Sequence, residues 1–411
     1  MFLRMLAEKS EEWGQEVWVA SLDLEKAFDK LFHASVIKCL ADTGVEDDVV
    51  QILWQIYRQQ SAYVCLDGCS SRVFDVLRGV RQGDPLSPIL FNNVTRQIFE
   101  KLKVKWASEG RGTIVCAGTA PSTHAMFADD TTLFASSRAA LVAMIKDVKI
   151  ALAEHGLNLN TDKCLVQTSS LHAPCQPIDI DGEAVPMVPP SVGFKVLGTQ
   201  FTLQGRTAVE VKARISAAWS KFHVLWPVLG KRDGNLLKRL RLFDSSVSQT
   251  LLWCNESWLL TVKEKRLLKS TQNQMLRCIA GPRRQPEEPW VDWIQRSTRA
   301  ARKVATTAGI RFWLEAHLKS KWGWAGHVLR MSSERLARRA VQWRDSVWWS
   351  QELHLPVSVR TQRPHKTRWF RWEDEVKRYA DHCMSTSWQE AAAQKSVWQE
   401  HCKGFVFFAQ K

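Results

Sequence analysis

Two adjacent carboxylates, Asp129 and Asp130, lie in the stretch HAMFADDTTLFA (residues 124–135), between two apolar runs. Apolar residues on both sides of a short polar step predict a β-hairpin. Asp is a common turn residue because its side chain can bond its own backbone, so a structural role is one interpretation. Adjacent like charges repel unless a cation lies between them, and Mg²⁺ prefers oxygen ligands. A metal site is therefore the second interpretation.

Other residues along the chain could complete such a site. The stretch VWVASLD (residues 17–23) predicts a short strand that ends at Asp23. Residues 79–88, GVRQGDPLSP, predict a glycine-containing loop that leads into a helix, because Ser-Pro is typical of a helix start. Lys163 follows a predicted helix, and residues 194–202, FKVLGTQFT, predict another strand. The order is thus an acid on a strand, a glycine loop and helix, an acid pair on a hairpin, a lysine and a strand.

This ordered set resembles the palm of reverse transcriptases, and within them the enzymes of LINE-type (non-LTR) retrotransposons. DLEKAFD (23–29) is similar to the first palm motif, GVRQGDPLSPILFN (79–92) to the second and FADD (127–130) to the third. The region around Lys163 and the strand at 194–202 match the next two motifs. A lone Asp-Asp pair is weak evidence, whereas three such motifs in this order are specific.

The resemblance implies nucleotide transfer with two bound metal ions. Such ions, about 3.5–4 Å apart, stabilise the attacking and leaving oxygens of an in-line displacement at phosphorus. Asp23 and Asp129 would be the principal ligands of Mg²⁺, for which Mn²⁺ could substitute, and the backbone carbonyl of Leu24 would assist. Asp130 would add negative charge near the metals and is counted with the catalytic residues. The like charges at the hairpin are then tolerable because the cations neutralise them.

The resemblance also assigns roles around the incoming nucleotide. Phe28 would be the steric gate beneath the sugar that excludes a ribose 2′-hydroxyl, although its position also suits a helix core. Arg81, Gln82 and Gly83 would line the nucleotide and template side of the pocket, where glycine permits close approach. Lys163 would lie near the triphosphate, the alternative being a solvated charge.

The composition is that of a globular protein without a secretory or membrane-spanning part. The chain has 411 residues, of which 45% are hydrophobic and 24% charged, as is typical of soluble domains. No apolar run approaches the roughly 18 residues needed to span a bilayer, and the N-terminal stretch turns acidic too early for a signal peptide. The ten cysteines are scattered, which favours free thiols in a reducing compartment. These features predict an intracellular protein, nuclear or cytoplasmic, with no membrane partner.

Positive charge and tryptophan are concentrated in the second half of the chain. The net charge is −5 over residues 1–200 and +20 over residues 201–411. Sixteen of the 20 tryptophans also lie in the second half. A basic, aromatic part beside a slightly acidic part predicts binding of a polyanion. Solvated helix faces and a tryptophan-rich core would explain individual residues, but they do not readily explain a difference of 25 charges.

The predicted elements divide the chain into three parts. Residues 1–202 mix strands and helices and predict an α+β palm, with a mixed or antiparallel sheet and flanking helices. Residues 203–280 predict a helical thumb, and residues 281–411 a basic, tryptophan-rich helical region. Basic thumb residues are expected to contact nucleic-acid phosphates without reading sequence. They are Lys212, Arg214, Lys238, Arg239 and Arg241.

The C-terminal region holds two further features. Trp369, Trp372, Val376 and Tyr379 recur at helical spacing, which favours a core stripe over a stacking surface. RPHKTRWFR (363–371) has basic residues around a proline break and is the better candidate for nucleic-acid contact. A zinc site is not expected, because the cysteines lack a tight Cys-x₂-Cys spacing.

The resemblance predicts an RNA-directed DNA polymerase, whose partners are an RNA template, a DNA primer or target and deoxynucleoside triphosphates. Only 22 residues precede the first palm motif, too few for the fingers region that grips the triphosphate in this family. The chain is therefore expected to be truncated at its N-terminus, and its activity to depend on an upstream segment. A catalytically inactive nucleic-acid-binding remnant is the first alternative. A two-metal nuclease or transposase is the second, and the ordered palm motifs argue against it.

Overall fold

The computed structural model describes residues 1–13, 15–114, 121–170, 175–204, 207–341 and 371–410. The chain separates into two compact units. The sheet unit comprises Gly14–Pro190, and the helical unit comprises Met1–Trp13 together with Ser191–Lys411. This division places the first helix, α1 (Phe2–Trp13), in the helical unit, whereas the sequence prediction grouped it with the palm. The palm, thumb and tail boundaries stay predictions.

The sheet unit contains short strands and longer helices. Its strands are β1 (Trp18–Leu22), β2 (Ser61–Ala62), β3 (Cys65–Leu66), β4 (Cys69–Ser70), β5 (Phe74–Asp75), β6 (His124–Phe127), β7 (Asp130–Ala135), β8 (Leu165–Thr168), β9 (Ile178–Ile180) and β10 (Glu183–Val185). Its helices are α2 (Ala27–Lys30), α3 (His33–Asp42), α4 (Asp47–Arg58), α5 (Ser87–Ser108) and α6 (Arg138–Ala153).

A four-stranded antiparallel sheet lies at the centre of this unit, in the order β6-β7-β1-β8. β6 and β7 form the predicted hairpin, and β1 pairs with β7 on one side and β8 on the other. Alternate residues of β1, namely Trp18, Ala20 and Leu22, belong to the main core, as the two-residue period of a strand requires. Buried residues of α5 and α6 complete that core. The unit therefore combines helices with an antiparallel sheet, as the sequence predicts.

Smaller hairpins lie outside the central sheet. β3 and β4 are joined by Asp67 and Gly68, which have φ of 50° and 81°. Asp-Gly favours such turns because both positions need a positive φ. β2 pairs with β5, and β9 pairs with β10.

The helical unit consists of helices around one short hairpin, β11 (Phe194–Val196) and β12 (Thr199–Phe201). The single strand predicted over 194–202 is thus a hairpin, because the chain turns at Leu197 and Gly198, both of positive φ. Besides α1, the helices are α7 (Ala208–Leu229), α8 (Leu236–Leu242), α9 (Gln249–Leu251), α10 (Val262–Ala280), α11 (Trp290–Thr307), α12 (Trp313–Arg330), α13 (Asp374–Cys383), α14 (Trp388–Ala393), α15 (Lys395–Glu400) and α16 (Cys402–Gln410).

The helical segment that begins with α8 is interrupted. α8 runs into a π-helical turn at Phe243–Ser248 and then α9, and a 3₁₀ turn follows at Asn255–Ser257. A capping box formed by Ser387 and Glu390 is present at the start of α14.

Many tryptophans of the helical unit form its core. Trp322 and Trp398 stack with ring centroids 3.9 Å apart, and each indole N–H donates to the other residue's carbonyl. Trp372 and Tyr379 of the predicted stripe are also buried. The core interpretation is thus confirmed for the members of the stripe that the structure describes; Trp369 lies outside the described residues. Trp226, Trp253 and Trp290 are exposed.

The predicted nucleic-acid segment RPHKTRWFR lies outside the described residues except for Arg371. Arg371 is buried, so it does not offer its guanidinium to an external phosphate. Residues 336–341, at the end of the preceding described segment, are helical. Across the described residues, no helix is both long enough and apolar enough to cross a membrane.

Candidate active site

The three aspartates lie at one end of the central sheet, on neighbouring strands. β1 ends at Leu22, one residue before Asp23, and β7 begins at Asp130. The two strands are antiparallel, with Leu22 opposite Thr131. Asp23 therefore leaves β1 beside the point where Asp129 and Asp130 enter β7. This is the placement predicted from the sequence, although the two strands are far apart along the chain.

The hairpin that carries the acid pair turns one residue earlier than the sequence suggests. Phe127 pairs with Asp130, so Ala128 and Asp129 form the two-residue turn, and Ala128 takes a left-handed φ of 54°. Asp130 is thus the first residue of β7. Burial, followed by the negative charges of Asp129 and Asp23, raises the pKa of Asp130. The Asp130 carboxylate is therefore repelled by each of the other two, and a cation beside it would offset this repulsion.

Asp23 is held by the segment that follows α6. Its carbonyl accepts the Asn160 N–H at 2.8 Å, and its own N–H donates to Cys164 Sγ at 3.3 Å. Burial raises the pKa of the Cys164 thiol to about 11, so it stays protonated at neutral pH. Lys163 Nζ lies 3.9 Å from Asp23 Oδ2. Because both of these side chains are largely exposed, this ion pair adds little stability, but it places Lys163 at the edge of the aspartate cluster.

The oxygen donors at this end of the sheet suit Mg²⁺. Among the described residues, no three acidic, histidine or cysteine side chains are close enough together to hold a metal ion. Mg²⁺ keeps several waters, however, and usually takes only one or two carboxylates beside substrate phosphates. Leu24 forms an isolated bridge with Leu159, and the two hydrogen bonds that flank this bridge do not use the Leu24 carbonyl. Asp23, Asp129 and that carbonyl are therefore a donor set of the right chemistry.

Phe28 packs beside the site rather than within a closed core. Its ring stacks on Phe91 of α5, with centroids 4.8 Å apart and an angle of 19° between the planes. It is only partly buried against the main core. The packing agrees with the core interpretation for one face of the ring, whereas the steric-gate role stays a prediction.

The glycine loop is attached to α2 by main-chain hydrogen bonds. Val80 N–H donates to the Phe28 carbonyl, and Gly79 N–H donates to the Leu31 carbonyl, both at 2.7 Å. Gly79 has a φ of +93°, and a Cβ there would lie 2.7 Å from the Asp29 carbonyl oxygen. Only glycine fits this close approach, so the second motif is fixed against the first.

Arg81, Gln82 and Gly83 follow this attachment and are all exposed. Gln82 Nε2 donates to Asp29 Oδ1 at 2.9 Å, so a side-chain bond also links the first and second motifs. Gly83 has a φ of +89°, and a Cβ there would meet no other atom within 4 Å. The three residues predicted to line the nucleotide pocket are thus exposed, and their role there stays a prediction.

Two of the five basic residues predicted to contact phosphate serve the fold instead. Arg239 is only 6% exposed, and its Nη1 donates to the carbonyls of Leu229 and Ile279 near the ends of α7 and α10. The prediction for Arg239 is wrong, because helix-terminal carbonyls bind its buried guanidinium. Arg214 is similarly engaged by Glu210, which is 1% exposed. The partners of Arg239 come from tertiary packing and could not be seen in the sequence, whereas Glu210 precedes Arg214 by four residues on α7, a spacing that predicts such a pair.

The other three basic residues keep the exposure that phosphate contact needs. Lys212, Lys238 and Arg241 are exposed.

Sequence reasoning missed two residues that matter for the aspartates, Asn160 and Cys164. An isolated cysteine or asparagine forms no recognisable motif. The only signal that could have indicated these two residues is that they lie in the stretch around Lys163.

Comparisons with known proteins agree with the motif assignment. Residues 3–201 match the family described as reverse transcriptase (RNA-dependent DNA polymerase). The chain is 32% identical over 211 residues to the Pol polyprotein of the type-2 retrotransposable element R2DM of Drosophila melanogaster, covering 49% of this chain and 19% of that protein. It is 26% identical over 193 residues to an R2 Pol polyprotein of Popillia japonica, covering 47% of this chain and 28% of that protein. The chain thus spans less than a third of these relatives.

A second kind of relative has a length closer to that of this chain. A transposon-derived protein of Caenorhabditis elegans is 24% identical over 285 residues, covering 67% of this chain and 93% of that protein. Among solved structures, telomerase from Candida tropicalis aligns with a TM-score of 0.37 and 12% identity, covering 83% of this chain and 55% of that one. Telomerase from Candida albicans, in complex with a fragment of telomeric RNA, aligns with a TM-score of 0.34 and 13% identity, covering 78% of this chain and 50% of that one. TM-scores of this size do not by themselves establish a common fold.

Proposed function

Since residues 3–201 belong to the reverse transcriptase family and have relatives among non-LTR retrotransposon Pol proteins, we propose that this chain is the polymerase part of such a protein. It would extend a DNA 3′ end by copying an RNA template, with deoxynucleoside triphosphates as substrates. The observation that carries the proposal is the meeting of Asp23, Asp129 and Asp130 at adjacent strand ends. The test is primer extension by the chain joined to an upstream fingers segment, compared with the same protein carrying Asp129→Asn.

Reverse transcriptases use divalent metal ions, and here Asp23, Asp129 and the Leu24 carbonyl would hold Mg²⁺, which would stabilise charge on the phosphoryl oxygens during transfer. The protein's own part is to fix these oxygens in place. Antiparallel pairing of β1 and β7 brings the two carboxylates together, and the residues after α6 hold the main chain of Asp23. Lys163 adds a positive charge at the edge of the cluster, where a triphosphate would approach.

Phe28 is proposed to discriminate between deoxyribonucleotides and ribonucleotides. Replacing it with Val removes bulk beneath the sugar, so ribonucleotide incorporation relative to deoxyribonucleotide incorporation should rise by roughly tenfold or more, given that small pocket changes are worth about 1–3 kcal/mol. The measurement is kcat/KM for both nucleotides in primer extension. Phe28→Tyr keeps the bulk and should keep the discrimination. An unchanged ratio in a stable Phe28→Val variant would remove Phe28 from this role.

The helical unit is proposed to bind the phosphate backbone of nucleic acid. Its residues 265–286 and 293–314 contain 11 Lys and Arg and no Asp or Glu. Arg266, Lys269, Arg299 and Lys303 of these stretches are exposed, in addition to the exposed lysines and arginine of α7 and α8. Lys265, Arg296 and Arg311 pair with acids from elsewhere in the fold and are set aside. The exposed basic residues that remain favour a polyanion over mere solvation, because solvated helix faces usually mix both signs.

The salt dependence of the affinity distinguishes binding of the phosphate backbone from binding that does not involve phosphates. Phosphate contacts release counterions, so log K should fall linearly with log of salt concentration, with a slope of about −0.9 per contact on a duplex. Lys238→Gln with Arg241→Gln should make this slope shallower by up to about 1.8. The control is the equal charge loss Arg96→Gln with Lys101→Gln on α5, which should leave the slope unchanged. Affinity that does not respond to salt, or equal effects of the two pairs, would contradict the assignment.

A catalytically inactive nucleic-acid-binding remnant is the second candidate. The exposed basic surface supports it as well as it supports the polymerase. The two candidates differ only at the aspartates, because a remnant has no need for three carboxylates at one end of the sheet. Nucleic-acid binding without any extension would favour the remnant.

A further inference from the structure

The Cys164 thiol is bonded to both main-chain polar groups of Asp23. The Asp23 N–H donates to Cys164 Sγ at 3.3 Å, and the S–H reaches the Asp23 carbonyl oxygen at 3.9 Å. That carbonyl also accepts the Asn160 N–H. Cys164 is 1% exposed, so no solvent can easily take the place of the thiol. The contact lies wholly within the sheet unit.

The thiol acts at the point where the sheet stops providing partners. β1 ends at Leu22, whose pairing with Thr131 is the last of the β1–β7 ladder. The N–H of the next residue, Asp23, therefore needs an acceptor outside the ladder, because a buried main-chain donor is rarely left unpaired. Cys164 Sγ is that acceptor. Together with the Asn160 N–H bond to the Asp23 carbonyl, this bond sets the direction in which the main chain leaves the strand.

We propose that Cys164 is a positioning residue that fixes the main chain of Asp23, so that the Asp23 carboxylate and the Leu24 carbonyl face the same point. The purpose of this arrangement rests on the proposed polymerase function, whereas the contact itself does not. A buried cysteine is otherwise an ordinary small apolar core residue. The two interpretations differ in one respect: a core residue can be replaced by valine, and a hydrogen-bond acceptor cannot.

Hydrogen exchange of the full chain tests the contact without any metal or substrate. In Cys164→Val, the Asp23 amide should exchange about fivefold faster, the factor expected for loss of one hydrogen bond. Cys164→Ser keeps an acceptor and should restore slow exchange. Peptides confined to residues 18–22 serve as the internal reference. An Asp23 amide that exchanges at the same rate in the wild type and Cys164→Val would overturn the proposal.

The consequence for metal binding at Asp23 is tested by measuring the affinity for Mn²⁺ from the electron paramagnetic resonance signal of the ion. Cys164→Val should weaken Mn²⁺ binding about fivefold, and Cys164→Ser should stay within about twofold of the wild type. The matched control is Cys39→Val, because Cys39 is also a buried thiol of the sheet unit, at 3% exposure, but lies in α3. The control should bind Mn²⁺ as the wild type does. Asp23→Asn gives the value for loss of the ligand itself.

The outcomes separate this proposal from the polymerase proposal. If the wild type binds Mn²⁺ and Asp23→Asn does not, unchanged binding by Cys164→Val overturns the positioning role alone. If Cys39→Val weakens binding as much as Cys164→Val, the effect is general destabilisation and the positioning role is again overturned. If the wild type does not bind Mn²⁺, both the metal site and the positioning role are wrong.

Discussion

Replacing Asp129 with Asn should lower the rate of primer extension by about a thousandfold or more. The substitution keeps the shape of the side chain and of the β6–β7 turn but removes a charge that faces the bound metals. Transition-state stabilisation by such metals amounts to several kcal/mol, and each 1.36 kcal/mol is a tenfold change in rate. The measurement is extension of a DNA primer on an RNA template with Mg²⁺, by the chain joined to an upstream fingers segment from an R2 polyprotein.

The matched control for this substitution is Asp67→Asn. Asp67 is also an exposed aspartate in a two-residue hairpin turn of the sheet unit, but it lies in the β3–β4 hairpin, which does not pair with the central sheet. Asp67→Asn should leave extension within about twofold of the wild type, because surface substitutions outside special positions change free energies little. Nucleic-acid affinity should be equal in both variants. Equal extension by wild type and Asp129→Asn would contradict the catalytic assignment, and no extension by any of them would favour the remnant.

The aspartate site could be predicted by combining two sources. Sequence patterns indicated the local elements, and a resemblance to a known fold indicated how those elements lie together. Short apolar runs predicted β1 and the β6–β7 hairpin separately, so each acid could be placed at a strand end from the sequence alone. The antiparallel pairing of β1 with β7 could not be deduced that way, because many strand orders satisfy the same patterns. The resemblance to the reverse transcriptase palm supplied that step. The donor Asn160 and the acceptor Cys164 had no comparable signal and emerged only from the fold.

For the charged residues of the helical unit, by contrast, the sequence could not predict which ones are buried and paired. A sequence shows that Arg239 lies in a helix, but not that carbonyls of two other helix ends enclose its guanidinium. The same holds for Lys321 on α12, which is fully buried although lysine is almost always exposed. Its Nζ donates to Glu375 Oε2 on α13 at 2.9 Å, and Lys265 on α10 bonds to the same carboxylate. Basic composition therefore predicts a polyanion surface only after such internal pairs are set aside.

Replacing Glu375 with Ala should destabilise the chain by about 3–5 kcal/mol at pH 7, because removing one partner of a buried ion pair leaves an uncompensated buried charge. Here Lys321 would keep its charge with no carboxylate beside it, and Lys265 would lose the same partner. The measurement is denaturant unfolding monitored by the fluorescence of the buried tryptophans. The matched control is Glu315→Ala, since Glu315 pairs with Lys319 on the same helix as Lys321 but both are largely exposed. Exposed pairs contribute about 0–1 kcal/mol, so the control should change stability by no more than that.

The pH dependence of this difference follows from the pKa of Glu375. Burial raises that pKa, but attraction by Lys321 and Lys265 outweighs burial and lowers it to about 2 from the ordinary value of 4.5. A carboxyl group whose pKa is lower in the folded state stabilises the fold above the unfolded value and loses this contribution as the pH falls toward the folded value. The stability difference between wild type and Glu375→Ala should therefore be constant from pH 7 to about 5 and shrink between about pH 4.5 and 2. A difference that persists undiminished at pH 3, or one no larger than that of Glu315→Ala at pH 7, would show that the buried carboxylate does not hold the two lysines as the structure places them.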